Sequence, residues 1–418
     1  MAGRKQSPHF SRYIRPMTTT QPSAAGLSWA QRLIGINTVS RESNLPLIET
    51  VADHLRDLQV PVRLTHDDDK RKANLFATLG AGKPGGGIVL SGHTDTVPWD
   101  GQAWTVDPLD AQVQNGRLYG RGSADMKGFI GLVVAQTQAW LEADLPFALH
   151  YAFSYDEEVG GFGAQVLIKD LQDAGVAPRI CLIGEPTGMI PAIAHKGVHR
   201  WRCCVRGKAA HSSLTPQAVN AIEAAARVVA HISGIAAELR DSEPRQAGFD
   251  VPYSTAAVCT IEGGIADNVV PQDCAFNYEF RDLPGADVPT LQGRVTRYAE
   301  VLQAEMKAVD PAAGFRFETL CSMPAFKADP NEPAVALAAV LAATRQTTLV
   351  AFGTEAGLFQ RAGISTVVCG PGSINQAHQA DEFVSLEQLA RCEDFLRGLA
   401  STSLDESSVS PRMAVPWR

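Results

Sequence analysis

The feature that most constrains this chain is a His and an Asp placed directly after a short apolar run. His93 and Asp95 lie in residues 91–98, and the apolar run before them, residues 88–90, indicates the end of a buried strand. Open α/β sheets place their ligand sites where such strands end. A His and a carboxylate at that position indicate a metal, although one pair alone also fits an ordinary hydrogen-bonded scaffold.

Four further places along the chain carry a His or a carboxylate in a comparable position. Most follow a segment with the pattern of a strand, and one precedes a helical pattern. Because the carboxyl ends of parallel strands meet at one edge of a sheet, we expect these side chains to form a metal cleft there. The residues are Asp125, in the turn 122–128; Glu157 and Glu158, after residues 150–155; Glu185, after residues 180–183; and His378, after residues 366–369 and the turn 370–373.

The number of ligands indicates two metals. Two His and three carboxylates exceed the three protein ligands that a tetrahedral zinc with an open position takes. With one carboxylate bridging, the same five ligands serve two metals about 3.5 Å apart, as in two-metal hydrolases. Such ligands accept zinc, cobalt or manganese, and we expect Zn²⁺ or Co²⁺.

Two acids stand outside this ligand set. Asp95 is placed to orient the imidazole of His93. Glu157 adjoins the ligand Glu158 without being needed as one, so it is a candidate to accept a proton from the attacking water. Acidic triplets are commonly solvated, but this one ends a strand and precedes the Gly-rich residues 160–163, which allow a close backbone approach.

Together these segments resemble the dinuclear-metal M20 peptidase family, which includes aminoacylase, carboxypeptidase G2 and succinyl-diaminopimelate desuccinylase. The resemblance extends from about residue 27 to residue 403 and rests on residues 93–98, 118–128, 183–187, 194–197 and 370–379. It implies that Asp125 bridges the two metals and is followed by a cis peptide bond. His93 and Glu185 would complete one site, and Glu158 and His378 the other.

The resemblance also implies roles for residues outside the ligand set. Glu157 matches the family's general base, and Asp95 matches its orienting carboxylate. His211 matches a His that enters the active site of the partner subunit and stabilises the oxyanion, which implies a homodimer. Asn268 and Arg281 match positions that bind the substrate carboxylate, an ion that a planar guanidinium contacts at two points. The implied reaction is hydrolysis of an N-acyl amino acid.

The order of the predicted elements indicates the architecture. A chain of 418 residues exceeds one usual domain. Strand patterns alternate with helical patterns over most of it, which predicts an α/β fold with helices on both faces of a sheet. Residues 198–321 instead predict an inserted α+β domain for lid and dimerisation. The expected boundaries are a disordered extension at 1–26, a catalytic domain at 27–197 and 322–405 around that insertion, and a disordered tail at 406–418.

Composition argues against several other partners. The net charge of -8 and the pI of about 5.7 argue against nucleic acid or an anionic membrane. No apolar run approaches the roughly 18 residues that a membrane span needs. Eight Cys without paired Cys-x-x-Cys spacing are typical of a reducing compartment, so we expect a cytoplasmic protein. The basic opening also fits a transit segment, but we favour an extension or a start at Met17.

The substrate is the least constrained of these predictions. By resemblance, residues 194–197 and 370–379 favour N2-acetyl-L-ornithine. The same metal site would also hydrolyse N-succinyl-diaminopimelate, which a second carboxylate-binding Arg would favour. A noncatalytic dimeric binding protein is a further alternative, but such a protein needs neither Asp95 nor Glu157. Glu355, at a predicted helix start, could meet the δ-amine of ornithine or be an ordinary exposed residue.

Overall fold

The computed structural model describes residues 20–83 and 85–402 and divides them into two compact units. The first unit combines residues 20–193, 328–348 and 354–402, and the second comprises Ala194–Lys327 and Leu349–Gly353. An insertion is therefore present. It begins before the expected residue 198, ends after residue 321, and includes a short later segment that was expected in the catalytic domain.

The start of the first unit also differs from the expected boundary. A helix begins at Ala24, inside the range 1–26 that was predicted to be a disordered extension. Ser23 caps this helix, because its side chain accepts a hydrogen bond from the N–H of Gly26. A Ser at the position before a helix is a strong local signal for a helix start. Residues 1–19 of the predicted extension and the predicted tail at 406–418 lie outside the described residues.

The helices and strands are numbered here in chain order. In the described part of the chain, no helix is both long and apolar enough to cross a membrane. The strands are β1 (Val62–His66), β2 (Ala73–Leu79), β3 (Ile88–His93), β4 (Val113–Gln114), β5 (Arg117–Tyr119), β6 (Leu149–Ser154), β7 (Ile180–Pro186), β8 (Ala192–His195), β9 (Val198–Arg206), β10 (Thr255–Gly263), β11 (Asp273–Arg281), β12 (Gly314–Met323), β13 (Phe326–Lys327), β14 (Thr348–Val350), β15 (Ser365–Gly370) and β16 (Phe383–Ser385). The helices are α1 (Ala24–Ile34), α2 (Leu45–Asp57), α3 (Lys127–Ala143), α4 (Glu157–Gly160), α5 (Phe162–Asp173), α6 (Ala221–Ser242), α7 (Val288–Lys307), α8 (Pro333–Leu341), α9 (Ala356–Arg361) and α10 (Leu386–Gly398).

The first unit is built on a sheet whose central strands are parallel. Its order is β1-β2-β6-β3-β7-β15, with parallel pairing from β6 to β15 and antiparallel pairing of β1 with β2 and of β2 with β6. Every residue of β3, β6 and β7 is buried, which explains why these segments read as continuous apolar runs. The carboxyl ends of the parallel strands meet at the edge where the sequence predicts the metal cleft.

Helices cover both faces of this sheet. In β3, a Cβ on Gly92 would lie 2.9 Å from Met126 and 3.1 Å from Ile130, so this position faces the start of α3. The hydroxyl of the preceding Ser91 donates to Glu355, directly before α9, at 3.4 Å. Because successive residues of a strand point to opposite faces, α3 and α9 lie on opposite sides of the sheet. The predicted α/β architecture is confirmed.

The second unit is an antiparallel sheet with two long helices. Its strand order is β10-β11-β9-β12, and from Trp201 onward the residues of β9 alternate between buried and less buried positions. From Trp201 onward, the buried residues of β9 share one apolar core with those of β11, α6 and α7. The chain order of strand, helix, two strands, helix and strand agrees with the prediction for the insertion.

Helices α1 and α3 approach so closely that Gly131 has no room for a side chain. A Cβ there would lie 2.5 Å from the backbone N of Ala30 and 2.6 Å from its Cα. Because the obstacle is backbone, we expect Gly131→Ala to lower the free energy of unfolding by about 1–3 kcal/mol, measured by urea denaturation. Gly234 in α6 is the control, since nothing lies within 4 Å of its Cβ. Gly234→Ala should instead stabilise by about 0.5–1 kcal/mol, and the same loss in both variants would contradict the close approach.

Candidate metal centre

Asp125 lies between two His at the carboxyl edge of the sheet. Its Oδ1 is 2.8 Å from Nε2 of His93, the last residue of β3. Its Oδ2 is 3.2 Å from Nε2 of His378, in the loop after β15. The peptide bond from Asp125 to Met126 is cis, as the family resemblance implies. Each carboxylate oxygen therefore faces a different imidazole, the arrangement that a bridging ligand requires.

Each of these His also faces one further acid. Oε1 of Glu185, in β7, is 3.5 Å from Nε2 of His93. Oε2 of Glu158, in α4, is 3.1 Å from Nε2 of His378. The structure thus brings the five predicted ligands together as two His-carboxylate pairs that share Asp125. Their role as ligands stays a prediction.

The cluster concentrates negative charge in a buried place. Burial and then the charge of Asp125 raise the pKa of Glu185 well above its usual value, and the same two causes raise that of Glu158. Hydrogen bonds to Asp125 and Glu158 raise the pKa of His378 to about 10. A divalent cation bound here would compete with protons for these groups, since metal ligands bind in their deprotonated form. This donor set fits a cation such as Zn²⁺ or Co²⁺.

Among the described residues, two groups of three have ligand atoms close enough to hold one ion. The atoms of His93, Asp125 and Glu158 lie within 4.8 Å of one another, and so do those of His93, Glu157 and Glu185. The second group contains Glu157, which the sequence placed outside the ligand set. By distance alone, Glu157 therefore qualifies as a metal ligand, although the sequence predicts it as the base.

Asp95 anchors the segment that carries Glu157 and Glu158. Its Oδ1 accepts the N–H of Glu157 at 3.1 Å, and its Oδ2 accepts that of Glu158 at 3.3 Å. The ring Nδ1 of His93 is 3.0 Å from the Asp95 carbonyl and 3.6 Å from its Oδ1. Asp95 thus contacts both the His and the acidic segment. Ser40, which donates to its Oδ2 at 2.7 Å, was not found from the sequence.

Comparison with known proteins identifies the family. Residues 89–402 match the family model of peptidase family M20/M25/M40. The chain belongs to this M20 family. It is 34% identical over 362 residues to acetylornithine deacetylase of Pasteurella multocida (strain Pm70), covering 86% of this chain and 91% of that one. It is 32% identical over 384 residues to acetylornithine deacetylase of Aliivibrio salmonicida (strain LFI1238), covering 90% and 94%.

Solved structures of the M20 family share this fold. An M20 family metallo-carboxypeptidase, Sso-CP2 from Sulfolobus solfataricus, superposes with a TM-score of 0.71 at 17% identity. The superposition covers 91% of this chain and 100% of that one. The resemblance predicted from the sequence is confirmed, and as an M20 protein the chain is an enzyme that acts on an amide bond.

Three residues predicted to contact substrate lie in the second unit of this M20 enzyme. His211 and Asn268 are neighbours, because the N–H of Ser212 donates to the Asn268 carbonyl at 3.0 Å, and both residues are exposed. Arg281 ends β11, and its Nε is 3.1 Å from Oε1 of Glu279. Glu279 therefore occupies one donor of this guanidinium, the Nε–H.

Glu355 is not the exposed helix-start residue that the sequence suggested. It is 2% exposed, and the hydroxyls of Ser154 and Ser91 donate to its two oxygens. Burial raises the pKa of Glu355 to about 7. Both oxygens are turned toward strands of the sheet, so the carboxylate is not presented to solvent.

We expect metal-stripped protein to gain thermal stability when Zn²⁺ or Co²⁺ is added. A cation that binds only the folded state contributes about 2.7 kcal/mol at a hundred times its Kd. Asp125→Asn removes the charge that both His share, so most of this gain should disappear, as measured by calorimetry before and after chelation. The control is Asp144→Asn, since that carboxylate is exposed and paired with Lys83. An equal gain in both variants would contradict the bridging position of Asp125.

Proposed function

We propose that this enzyme removes the acetyl group from N2-acetyl-L-ornithine, giving L-ornithine and acetate, a step of arginine biosynthesis. The observation that carries the proposal is Asp125, whose two oxygens face His93 and His378 at the carboxyl edge of the sheet. The substrate is inferred from relatives that are 34% and 32% identical over most of the chain. The wider activity is hydrolysis of N-acyl amino acids.

The proposal includes two divalent cations, Zn²⁺ or Co²⁺. His93 and Glu185 would hold one and Glu158 and His378 the other, with Asp125 shared. When bound, the cations lower the pKa of water and polarise the acyl carbonyl. The protein supplies the positions of these ligands and the groups that move protons.

Glu157 is proposed as the general base. It is 6% exposed, and its Oε1 has no hydrogen-bond partner among the described residues. Burial raises the pKa of Glu157 well above its usual value, which gives the carboxylate a strong affinity for a proton. It would accept a proton from the attacking water and return it to the departing amine.

We expect Glu157→Ala to lower kcat on the order of 10²–10⁴-fold while the protein still binds two cations. The reason is that the variant loses the proton acceptor but keeps the proposed ligands. Metal content by atomic absorption, beside steady-state kinetics, separates the two roles. Glu158→Ala is the comparison and should lose both metal and activity. If the metal content of Glu157→Ala fell as well, Glu157 would be a ligand.

We also propose a homodimer formed through the second unit. The strand β10 lies at the edge of its sheet, and unpaired edges are ready sites for association. Ile261 in this strand is 55% exposed and Ile265, just after it, is 88% exposed. His211 is exposed, and its Nδ1 is 2.9 Å from the hydroxyl of Ser213. In the dimer, His211 of one subunit would stabilise the oxyanion in the site of the other.

Action in trans predicts complementation between two inactive variants. In a heterodimer of His211→Ala and Glu157→Ala, one site receives both groups intact, so activity should return after subunit exchange. A heterodimer of Glu157→Ala and Glu158→Ala has no intact site, so this mixture should stay inactive. Activity is measured before and after exchange, and dimers are verified by ultracentrifugation. An exchanged first mixture as inactive as its components would contradict action in trans.

The substrate is tested by amine release from N-acetyl-L-ornithine and N-succinyl-diaminopimelate, with metal-stripped protein before and after adding Zn²⁺ or Co²⁺. We expect metal-dependent release from the first substrate alone. Release from the second alone would make the protein a desuccinylase with the same chemistry. If neither substrate released amine although two cations were bound, the result would favour another N-acyl amino acid as substrate, or the noncatalytic binding protein.

Arg281 and Asn268 are proposed to bind the substrate α-carboxylate. A guanidinium pairs with a carboxylate far better than with a neutral amide. In the same assay, the α-amide of N-acetyl-L-ornithine should therefore be a much poorer substrate than the acid. Equal rates on both would remove this role.

A cytoplasmic location is proposed from the cysteines. All eight are free thiols, and six of them are buried. Buried unpaired thiols are usual in proteins of reducing compartments, whereas secreted proteins tend to pair theirs.

A further inference from the structure

A buried ion pair lies against the turn that ends at Asp125. Arg121 and Glu382 are each 1% exposed, and Nη1 of the Arg is 2.7 Å from Oε2 of the Glu. The same carboxylate accepts the backbone N–H groups of Gly122 at 3.1 Å, Ala124 at 2.9 Å and Asp125 at 3.2 Å. Four donors thus converge on Glu382. They hold the turn that presents Asp125 to both His.

Gln102 connects this ion pair to the loop that carries His378. Nη2 of Arg121 donates to Gln102 Oε1 at 2.6 Å, and Nε1 of Trp104 donates to the same oxygen at 3.0 Å. The Gln102 Nε2 donates to the backbone carbonyl of His378 at 2.9 Å. Because two donors occupy the amide oxygen, the amide nitrogen must face His378.

The backbone of His378 needs such support. Its φ is +61°, in the left-handed region that residues with a side chain seldom adopt. The same loop is also held at Asp381, whose two oxygens accept the N–H and the hydroxyl of Thr105 at 2.7 and 2.8 Å. Residues 102–105 therefore brace the His378 loop at two points.

We propose that Glu382, Arg121 and Gln102 form a relay that sets the position of His378 relative to Asp125. The three are positioning residues, since none is a proposed ligand. A buried ion pair contributes little net stability by itself, so its convergent hydrogen bonds are better explained by orientation. The relay rests on the proposed metal centre. Gln102 contacts the His378 loop, so it should affect only the cation site of His378 and Glu158. Glu382 holds Asp125, which both proposed sites share.

The Gln102 end is tested with Gln102→Glu. Glu keeps an acceptor for Arg121 and Trp104 but places a second acceptor against the His378 carbonyl. We expect the metal-stripped variant to bind one Co²⁺ with unchanged Kd and the other about 10–100-fold more weakly, by titration calorimetry. Gln138→Glu is the control, because it adds the same charge at an exposed position of α3. Both of its Kd values should match those of the unmodified protein.

The Glu382 end is tested with Glu382→Gln. An amide offers one acceptor oxygen where a carboxylate offers two, so the turn before Asp125 loses part of its support. Both Co²⁺ ions should then bind more weakly, while Glu382→Asp should recover part of the affinity. The relay would be overturned if Gln102→Glu bound both Co²⁺ ions with unchanged Kd, or if this variant bound both ions more weakly by the same factor. Fewer than two Co²⁺ bound by the unmodified protein would overturn the metal centre itself, and the relay with it.

Discussion

The first unit depends on holding several carboxylates together where water is excluded. Like charges in a buried place repel each other and lose their hydration, so each must be held by donors or by a cation. The chain uses backbone N–H groups for two acids that are not proposed ligands. Asp95 accepts those of Glu157 and Glu158, and Glu382 accepts those of the turn before Asp125. The oxygens of the proposed ligands therefore stay turned toward the two His, where a cation would balance them.

The proposed chemistry is divided between the two units. Every proposed metal ligand and the proposed base belong to the first unit, whose parallel strands end at one edge. His211, Asn268 and Arg281 belong to the second unit, an antiparallel sheet with its own core. Hydrolysis of an amide bond follows from membership of the M20 family. The side chains proposed to recognise the acyl amino acid all belong to the second unit.

The sequence singled out the candidate ligands because each one is marked by its neighbours in the chain. A parallel strand buried on both faces reads as an unbroken apolar run, so the first His or carboxylate after it stands out, as at His93 and Glu185. The supporting residues carry no such mark. Glu382 and Asp125 are 257 positions apart, and Gln102 and His378 are 276 apart. In these two contacts the partner is a backbone group, which no residue pattern records.

The sequence by itself determined the α/β class, the inserted unit and the cluster of His and acids, because apolar periodicity and strand ends are local properties. Only the tertiary structure decided which acids are buried and what holds them. Glu355 has the sequence context of an exposed helix start, yet two strands enclose it. Likewise, Leu349–Gly353 belongs to the second unit, although the chain before it, Ala328–Thr348, has already returned to the first unit. Burial and long-range hydrogen bonds depend on segments distant in the chain, so they appear only once the chain has folded.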